Sequence, residues 1–273
     1  MAGITGLENI KLIVSDMDGT LLNSEGKVSD SFFSLFDKLQ SRGVQFVAAS
    51  GRQYYSIIDK LEPIWEHIGV IAENGGIARR MNEELVLVTL EPKLVRELIR
   101  TIRKIPDCDM VLCAKKQAYV ESTSQDFLNF FSEYYVRYQR VKDLTQVTND
   151  DFFKIAIYNA KGTEENVYPR VKHLEGDLQV KVSGEYWLDL SHLDANKGHA
   201  LGIVQDKLNI TPQETLVLGD YNNDLEMMRQ SNFSFAMENA HPNVKKAASY
   251  RTKSNDEYGV EHVMEQVLEA IEN

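Results

Sequence analysis

The feature that most constrains the fold of this chain is an alternation of short apolar runs with amphipathic segments, interrupted in the middle of the chain and then resumed. Near the N-terminus, apolar runs at 11–15, 44–50 and 70–73 are separated by segments with helical spacing. The same alternation returns from residue 197 onward. Because strands that alternate with helices form a parallel sheet covered on both faces, the pattern predicts a doubly wound α/β core with a parallel sheet, made from both ends of the chain.

The middle of the chain carries a different pattern, with strand-like runs joined by short connections. These runs lie at 85–90, 110–114, 118–121, 153–158, 178–182 and 187–190. Helical spacing indicates two helices among them, over 92–105 and 163–174. Since short connections join antiparallel rather than parallel strands, the middle segment is predicted to form a separate α+β insert with an antiparallel sheet.

The two patterns divide the chain into a core of residues 1–82 and 192–273 and an inserted α+β cap domain of residues 83–191. An insert of roughly a hundred residues has the size of an ordinary domain. The chain is expected to cross between core and insert through short hinges near 79–84 and 190–196.

Charge and hydropathy argue against several classes of function. Acidic residues outnumber basic ones by 41 to 30, and the formal net charge of −11 disfavours binding to nucleic acid or to an anionic membrane. No apolar run reaches the ~20 residues of a membrane helix, and the first residues lack the pattern of a signal peptide. Cys108 and Cys113 have no neighbouring set of zinc ligands, so we expect free thiols in a cytoplasmic protein.

Polar clusters recur where the predicted core strands end or where the next helix begins. They are Asp16-Met17-Asp18-Gly19-Thr20, Ser50-Gly51-Arg52, Lys197-Gly198 and Gly219-Asp220-Tyr221-Asn222-Asn223-Asp224. Ligands of open α/β sheets bind at the carboxyl edge of the strands. We therefore expect the four clusters to meet in one site.

Asp16 and Asp18 are the candidate catalytic residues. The turn that Gly19 permits lets both carboxylates reach one site, although they are only two positions apart in the sequence. Asp16 can act as a nucleophile that accepts a phosphoryl group, and Asp18 as the general acid for the leaving group and then the base for water. A turn with two acidic helix caps would use the same residues, and this cluster alone leaves that alternative open.

Asp220 and Asp224 add negative charge that the first cluster tolerates only if a cation is present. Oxygen ligands favour a hard ion, and Mg²⁺ is the usual partner of phosphate. Asp16 and Asp220 are expected to be direct ligands together with the backbone carbonyl of Asp18, while Asp224 orients a bound water or another ligand. Taken alone, this cluster fits a polar turn with a helix cap equally well.

Ser50, Gly51 and Lys197 are the candidate phosphate-binding residues. The Ser50 hydroxyl and the N–H groups around Gly51 lie at a predicted strand-to-helix turn. Lys197 places a positive charge at a helix start, which is unfavourable unless an anion binds there. Taken singly, a Ser-Gly or a Lys-Gly pair is usually just a cap or a solvated side chain. Arg52 could contact substrate or pair with a surface acid, and the sequence does not separate the two.

Several motifs occur together in a fixed order. They are DMDGT (16–20), SGR (50–52), ENGG (73–76), NKG (196–198), GDYNND (219–224) and MENAHPNVKKAA (237–248). This set resembles the haloacid dehalogenase (HAD) superfamily of phosphatases, and the long insert resembles the type IIB cap of its Cof-like branch. The resemblance implies a Rossmann-like core and a mobile cap. Dehalogenase activity is disfavoured, because Asp18 and the metal ligands match the phosphatase form of the motifs.

The resemblance also implies roles for single residues. It gives the nucleophile, the acid/base and the phosphate-binding residues the same roles that their chemistry suggests. It assigns Asp16, Asp18 and Asp220 to Mg²⁺. In addition, it implies that Asn223 contacts the phosphate side of the site and that Asn239 lines it.

The predicted function is a Mg²⁺-dependent phosphatase that hydrolyses a small phosphorylated metabolite through an aspartyl-phosphate intermediate, with sugar phosphates favoured by the resemblance. A phosphomutase would use the same nucleophile, and a non-catalytic sensor would bind the metabolite and signal by cap closure. The expected partner is a small-molecule phosphate ester, with no nucleic acid and no membrane, and the chain is expected to be a monomer or a weak homo-oligomer. Whether Tyr134 or Trp187 of the insert contacts substrate stays open.

Overall fold

The chain folds into strands and helices, and the computed structural model describes residues 4–81, 83–132 and 134–273. Within them the strands, in chain order, are β1 (Leu12–Asp16), β2 (Gln45–Ala49), β3 (Gly69–Ala72), β4 (Ile77–Arg80), β5 (Glu83–Leu87), β6 (Asp109–Ala114), β7 (Ala118–Val120), β8 (Tyr138–Arg140), β9 (Phe152–Tyr158), β10 (Gln179–Gly184), β11 (Trp187–Ser191), β12 (Thr215–Gly219), β13 (Phe233–Ala236) and β14 (Tyr250–Arg251). The α-helices are α1 (Asp30–Gln40), α2 (Tyr54–Lys60), α3 (Pro92–Ile102), α4 (Gln125–Phe131), α5 (Thr163–Asn166), α6 (Tyr168–Val171), α7 (Lys197–Leu208), α8 (Leu225–Met228), α9 (Pro242–Ala247) and α10 (Gly259–Glu272).

The larger of two sheets has the order β14-β13-β12-β1-β2-β3-β4-β5 and is parallel from β14 to β3. Its central strand, β1, is buried along its whole length, as expected for an apolar strand covered on both faces. The neighbours of β1 are β2 and β12, which come from opposite ends of the chain. This arrangement confirms the predicted doubly wound α/β core.

Helix α1 shows how the amphipathic segments cover this sheet. The Ser29 side chain caps the helix by accepting the N–H of Phe32 at 3.1 Å. The buried side chains Phe32, Phe36 and Leu39 follow the i, i+4, i+7 spacing of one helix face. Gly43, with a φ of +84°, ends the segment in the left-handed conformation that glycine accepts readily.

One strand lies in a different sheet from the one expected. The sequence pattern assigns the run at 85–90 to the insert, whereas β5 pairs antiparallel with β4 at the edge of the core sheet. This hairpin places Arg79 opposite Glu84, but the Glu84 carboxylate pairs with Lys115 of the insert at 2.7 Å, and the Arg79 guanidinium lies over the ring of Tyr54. The chain therefore crosses to the insert at 88–91 and not near 79–84. The division of the chain into core and cap domains stays a prediction.

The insert forms a second sheet with the order β10-β11-β9-β6-β7-β8. Its strands are antiparallel except for the pair β7 and β8, so the predicted antiparallel sheet is confirmed apart from this pair. The single helix expected over 163–174 is broken into α5, α6 and a 3₁₀ turn. The break falls at Val167, two residues before Pro169, which lies in the first turn of α6 and has no N–H to continue the hydrogen bonds of α5.

The two sheets meet through an apolar contact next to the site described below. Phe153 on β9 of the insert is buried against the core residues. A Cβ at Gly76 would lie 3.1 Å from the Cβ of Phe153, so glycine permits the close approach. This contact places β9 of the insert above the carboxyl edge of the core sheet.

Two expectations from the sequence concern the cysteines and a membrane-crossing helix. Cys108 and Cys113 are both free thiols. Within the described part of the chain, no helix combines the length and the apolar character that a bilayer crossing requires.

Candidate active site

Four neighbouring strands of the core sheet end at one edge, and polar residues follow each of them. β1 ends in Asp16, and β2, β3 and β12 are followed by Ser50, Glu73 and Asp220. Because β12, β1, β2 and β3 are adjacent in the sheet, these residues lie side by side. The sequence predicted this for Asp16, Ser50 and Asp220 but not for Glu73. Lys197, the first residue of α7, joins them from the C-terminal half.

Lys197 is a fully buried lysine held between two carboxylates. Its Nζ lies 2.7 Å from Oδ1 of Asp224 and contacts Oδ1 of Asp16. Burial lowers the pKa of Lys197, but the two carboxylates outweigh burial, so the pKa is raised above its ordinary value. The side chain of Asn196 caps α7 by accepting the N–H of His199 at 2.8 Å, which fixes the helix start that carries the ammonium.

Three carboxylates crowd around this ammonium. Oxygens of Asp16, Asp220 and Asp224 lie within 4.8 Å of one another. Burial raises the pKa of Asp16 well above its ordinary value despite the opposing effect of Lys197, and the other two carboxylates add to the rise. Burial and the charge of Asp224 raise the pKa of Asp220 to about 6. One ammonium thus faces three acids, an arrangement that a further cation would stabilise.

Asp224 differs from the other two acids because both of its oxygens already accept hydrogen bonds. Oδ1 accepts from Lys197, and Oδ2 accepts the backbone N–H groups of Asp220 and Tyr221 at 2.9 and 3.0 Å. Asp16 and Asp220 line the cavity of the site. An oxygen-only donor set fits a hard ion such as Mg²⁺, with Asp16 and Asp220 as ligands and Asp224 as the residue that orients their surroundings.

The turn after β1 packs against residues from the C-terminal part of the chain. Gly19 has a φ of +77°, and a Cβ at this position would collide with the carboxylate of Asp220. Thr20 donates its hydroxyl to Oδ1 of Asp220 at 3.2 Å. Asn239 donates to the carbonyl of Gly19 at 2.7 Å and accepts the N–H of Asn255 at 3.1 Å. Asn239 therefore braces this turn and is not among the described residues that line the cavity, contrary to what the family resemblance implied.

Asp18 is more exposed than Asp16, Asp220 and Asp224 and pairs with Arg52. The guanidinium of Arg52 donates to both carboxylate oxygens, with distances of 2.7 Å from Nε and 2.6 Å from Nη2. The side chain of Asp18 is 53% exposed and that of Arg52 only 12%. Arg52 also lies over the ring of Tyr134, 5.5 Å from its centroid. Of its two expected roles, Arg52 therefore shows pairing with an acid. That acid is Asp18, which belongs to the site itself.

The Ser50–Arg52 loop follows β2 and faces the acids. Ser50 is buried, and its Oγ accepts the N–H of Arg52 at 3.1 Å. A Cβ at Gly51 would come within 3.0 Å of the Asn74 amide, so glycine lets the two turns pack closely. Asn74 in turn accepts a hydrogen bond from Nδ2 of Asn223 at 3.1 Å.

A cavity of about 300 Å³ lies between this edge and the sheet of the insert. From the core it is lined by Asp16, Asp18, Ser50, Gly51, Arg52, Asn74, Asp220, Tyr221 and Asn223. From the insert it is lined by Tyr134, Tyr135, Lys154, Ala156, Ser183, Trp187 and Asp189. The space is large enough for a phosphate with a small organic group, and the insert contributes three aromatic side chains to its lining.

Sequence reasoning missed three charged residues beside the cavity: Glu73, Lys154 and Asp189. All three are buried. Lys154 stands in the otherwise apolar strand FFKIAIY and Asp189 in WLDLS. A charged residue inside a buried strand is a signal that could have found both, since such a charge needs a partner.

Comparisons with known proteins identify the family and the fold of this chain. A family model of haloacid dehalogenase-like hydrolases matches residues 13–264. The 5-amino-6-(5-phospho-D-ribitylamino)uracil phosphatase YbjI of Escherichia coli (strain K12) is 33% identical over 264 residues, covering 95% of this chain and 97% of that protein. The crystal structure of SMU.1108c from Streptococcus mutans UA159 superposes with a TM-score of 0.86 at 29% identity, covering 95% and 99% of the two chains. The HAD subclass IIB sugar phosphatase BT4131 shares the fold, with a TM-score of 0.81 at 21% identity over 93% of this chain and 98% of that one.

Proposed function

This chain belongs to the haloacid dehalogenase-like hydrolases and is a phosphoric monoester hydrolase, and we propose that it moves a phosphoryl group from a small metabolite to Asp16 and then to water, with Mg²⁺ bound beside it. One observation carries the proposal. Asp16 ends the central buried strand, lines the cavity and lies against the buried ammonium of Lys197. A nucleophile, a fixed positive charge and a space for phosphate are thereby brought together.

Each step can be assigned to residues of this chain. In the first step an oxygen of Asp16 attacks phosphorus, the bond from phosphorus to the metabolite oxygen breaks, and that oxygen takes a proton from Asp18. In the second step Asp18 takes a proton from water, whose oxygen attacks the aspartyl phosphate, so inorganic phosphate leaves and Asp16 is restored. Lys197, the Ser50 hydroxyl, the N–H groups around Gly51 and Asn223 would bind the phosphoryl oxygens. When bound by Asp16, Asp220 and the carbonyl of Asp18, Mg²⁺ would offset the negative charge of the acids and the phosphate.

Asp18 must change partner to perform both steps. Its ion pair with Arg52 uses the carboxylate form, which suits the base but not the acid. A substrate phosphate in the same cavity offers the guanidinium a second anion with matching bidentate geometry. Substrate binding would thus draw Arg52 from Asp18 and leave Asp18 able to carry the transferred proton.

Two classes of substrate suit the cavity. Sugar phosphates are proposed first, because the polar edge of the core would hold the phosphate and the insert would close over a small polyol. The second class is the phosphorylated ribitylaminouracil for which the relative YbjI is named. Its planar ring could stack on Tyr134 or Trp187, which line the cavity from the insert. Location in the cytoplasm and a monomeric or weakly oligomeric state stay predictions.

The proposed reaction is tested by phosphate release. With Mg²⁺ and no bisphosphate activator, the purified protein is expected to release inorganic phosphate from a panel of sugar phosphates, flavin mononucleotide, pyridoxal phosphate and 5-amino-6-(5-phospho-D-ribitylamino)uracil. Chelation of the metal with EDTA is expected to lower the rate at least about 100-fold. Transfer to a second sugar position only when a bisphosphate is present would favour a phosphomutase. Tight binding of one ester without turnover on any of them would favour a sensor.

Raising the pH is expected to destabilise the metal-free protein, whereas binding of Mg²⁺ is expected to stabilise it. Because the pKa of Asp220 is raised to about 6 from 3.8, its protonated form stabilises the metal-free fold, and this contribution is lost as the pH rises from 3.8 to about 6. Mg²⁺ binds the ionised acids, so at a hundred times its Kd it is expected to add about 2.7 kcal/mol to the free energy of unfolding at pH 7.5 and much less at pH 5. Urea unfolding with Mg²⁺ or EDTA at both pH values measures this. In Asp220→Asn, the effect of Mg²⁺ on the free energy of unfolding should no longer differ between the two pH values. An equal effect of Mg²⁺ at both pH values in the wild-type protein would contradict the prediction.

A further inference from the structure

A buried ion cluster joins the insert to the core beside the Ser50–Arg52 loop. Lys154 on β9 places its Nζ 3.1 Å from Oδ2 of Asp189 on β11 and 3.1 Å from Oε2 of Glu73, which follows β3. The same Nζ donates to the carbonyl oxygen of Gly51 at 3.1 Å. The side chains of the three charged residues are 5%, 7% and 2% exposed, so the cluster is shielded from water.

The partners of Lys154 come from both sheets. A buried ammonium is stable only where acceptors replace its lost hydration. Asp189 lies on the strand next to Lys154 and could neutralise it within the insert. Glu73 and Gly51 belong to the core, and their contacts form only when the insert is docked against it. The cluster therefore links the position of the insert to the conformation of the core loop.

The contact with Gly51 fixes one peptide group of that loop. In a planar trans peptide, the C=O of Gly51 and the N–H of Arg52 point in opposite directions. Lys154 holds the C=O, and the N–H donates to Oγ of Ser50 at 3.1 Å. Because this bond uses a lone pair of the Ser50 oxygen, the hydroxyl hydrogen is left to donate to a phosphoryl oxygen.

The turn after β3 supports the same loop from the other side. Glu73 donates its N–H to the carbonyl of Arg52, and Asn74 donates its N–H to the carbonyl of Ser50, both at 3.0 Å. Glu73 and Asn74 have φ angles of 52° and 54°, which non-glycine residues seldom adopt. Since Lys154 pairs with the Glu73 side chain, one ammonium restrains both this turn and the loop it supports.

We propose that Lys154 is a positioning residue for phosphate binding: from the insert it orients the Gly51–Arg52 peptide, and through that peptide the Ser50 hydroxyl. The loop then has its productive geometry only while the insert is docked. This inference rests on the proposed phosphate-binding role of Ser50. Lys154 also lines the cavity, but its two hydrogen bonds and its ion pair with Glu73 engage the ammonium, so it acts through the loop.

The first test compares three variants of lysines in the insert. Lys154→Met is expected to lower kcat/KM for Mg²⁺-dependent hydrolysis of p-nitrophenyl phosphate about 100-fold, and to weaken inhibition by inorganic phosphate about 10-fold. Lys154→Arg keeps the charge and should recover part of both losses. Lys161→Met removes an exposed lysine of the insert that pairs with Asp107 at 2.6 Å, and it should leave both quantities unchanged.

The decisive test repeats Lys154→Met in a Ser50→Ala background. If Lys154 acts through the Ser50 hydroxyl, Lys154→Met is expected to lower kcat/KM by less than about 3-fold relative to Ser50→Ala alone, because that hydroxyl is already gone. An equal loss in both backgrounds would overturn the positioning role while leaving the proposed function intact. Activity near wild type in Ser50→Ala alone would instead overturn the phosphate-binding role of Ser50 on which the inference rests.

A second variant covers the case in which Lys154→Met does not fold, since it leaves Glu73 and Asp189 as unpaired buried acids. Lys154→Gln combined with Asp189→Asn keeps the side-chain volumes and removes one charge of each sign. The same comparison with and without Ser50→Ala then applies, and a loss that persists unchanged in the Ser50→Ala background again overturns the positioning role.

Discussion

Asp16→Asn is expected to lower kcat for phosphate release by at least about 10⁴-fold while leaving the fold intact. The amide is a far weaker nucleophile than the carboxylate and cannot form the aspartyl phosphate. Its oxygen can still accept from Lys197, whose ammonium lies against this position. Because burial disfavours the charged form of Asp16, the free energy of unfolding without metal should equal or exceed that of the wild type at pH 7.

Two measurements separate loss of the nucleophile from loss of structure. Urea unfolding reports the stability, and rapid quenching with a radiolabelled phosphate ester reports the covalent intermediate, which the wild type should hold and Asp16→Asn should lack. Asp37→Asn, an exposed aspartate on α1, is the matched control and should leave turnover unchanged. A well-folded Asp16→Asn protein with kcat within about tenfold of the wild type would refute Asp16 as the nucleophile.

The position of Asp16, Ser50 and Asp220 could be predicted because each lies at the end of an apolar strand or directly after it. In a parallel sheet the carboxyl ends of neighbouring strands share an edge, so three local patterns suffice to predict one site. Lys197 could be added because a lysine at a helix start is unfavourable without an anion nearby. This part of the site needed no knowledge of side-chain contacts.

The contacts of the insert could not be predicted in the same way. The hydrogen bond from Lys154 to the carbonyl of Gly51 joins residues 103 positions apart. It depends on how the insert docks on the core, which no local pattern encodes. The partner of Arg52 stayed open for a similar reason, because a long flexible side chain can reach several acids and only the fold shows that Asp18 is in range.

Which sheet a strand joins is likewise harder to predict from the sequence than the strand itself. The short apolar run at 85–90 predicts a strand but does not predict which strand it pairs with. In the structure β5 returns on β4 through a hairpin and extends the core sheet instead of starting the insert. Glu84 lies opposite Arg79 in this register but pairs with Lys115 of the insert, a contact that no local pattern encodes.

Lys197→Met is expected to have the largest effect on stability among the site variants. It leaves the buried acids Asp16 and Asp224 without their shared ammonium, and breaking a buried pair costs about 3–5 kcal/mol of the free energy of unfolding. Activity should also be lost, because the positive charge that would hold the phosphoryl oxygens is gone. Lys207→Met, an exposed lysine in the last turn of the same helix, is the control and should change neither quantity.

The pH dependence and a double variant distinguish this electrostatic cost from simple loss of packing. In Lys197→Met the unpaired acids can take up protons as the pH falls, so the loss of stability should be larger at pH 8 than at pH 5. Lys197→Met combined with Asp224→Asn removes one unpaired charge while the amide oxygen still accepts the N–H groups of Asp220 and Tyr221. We expect this protein to regain part of the lost stability but none of the activity, since the charge beside Asp16 is still missing. A loss of stability that is equal at both pH values and unchanged by Asp224→Asn would mean that Lys197 fills space at this edge and does not balance its acids.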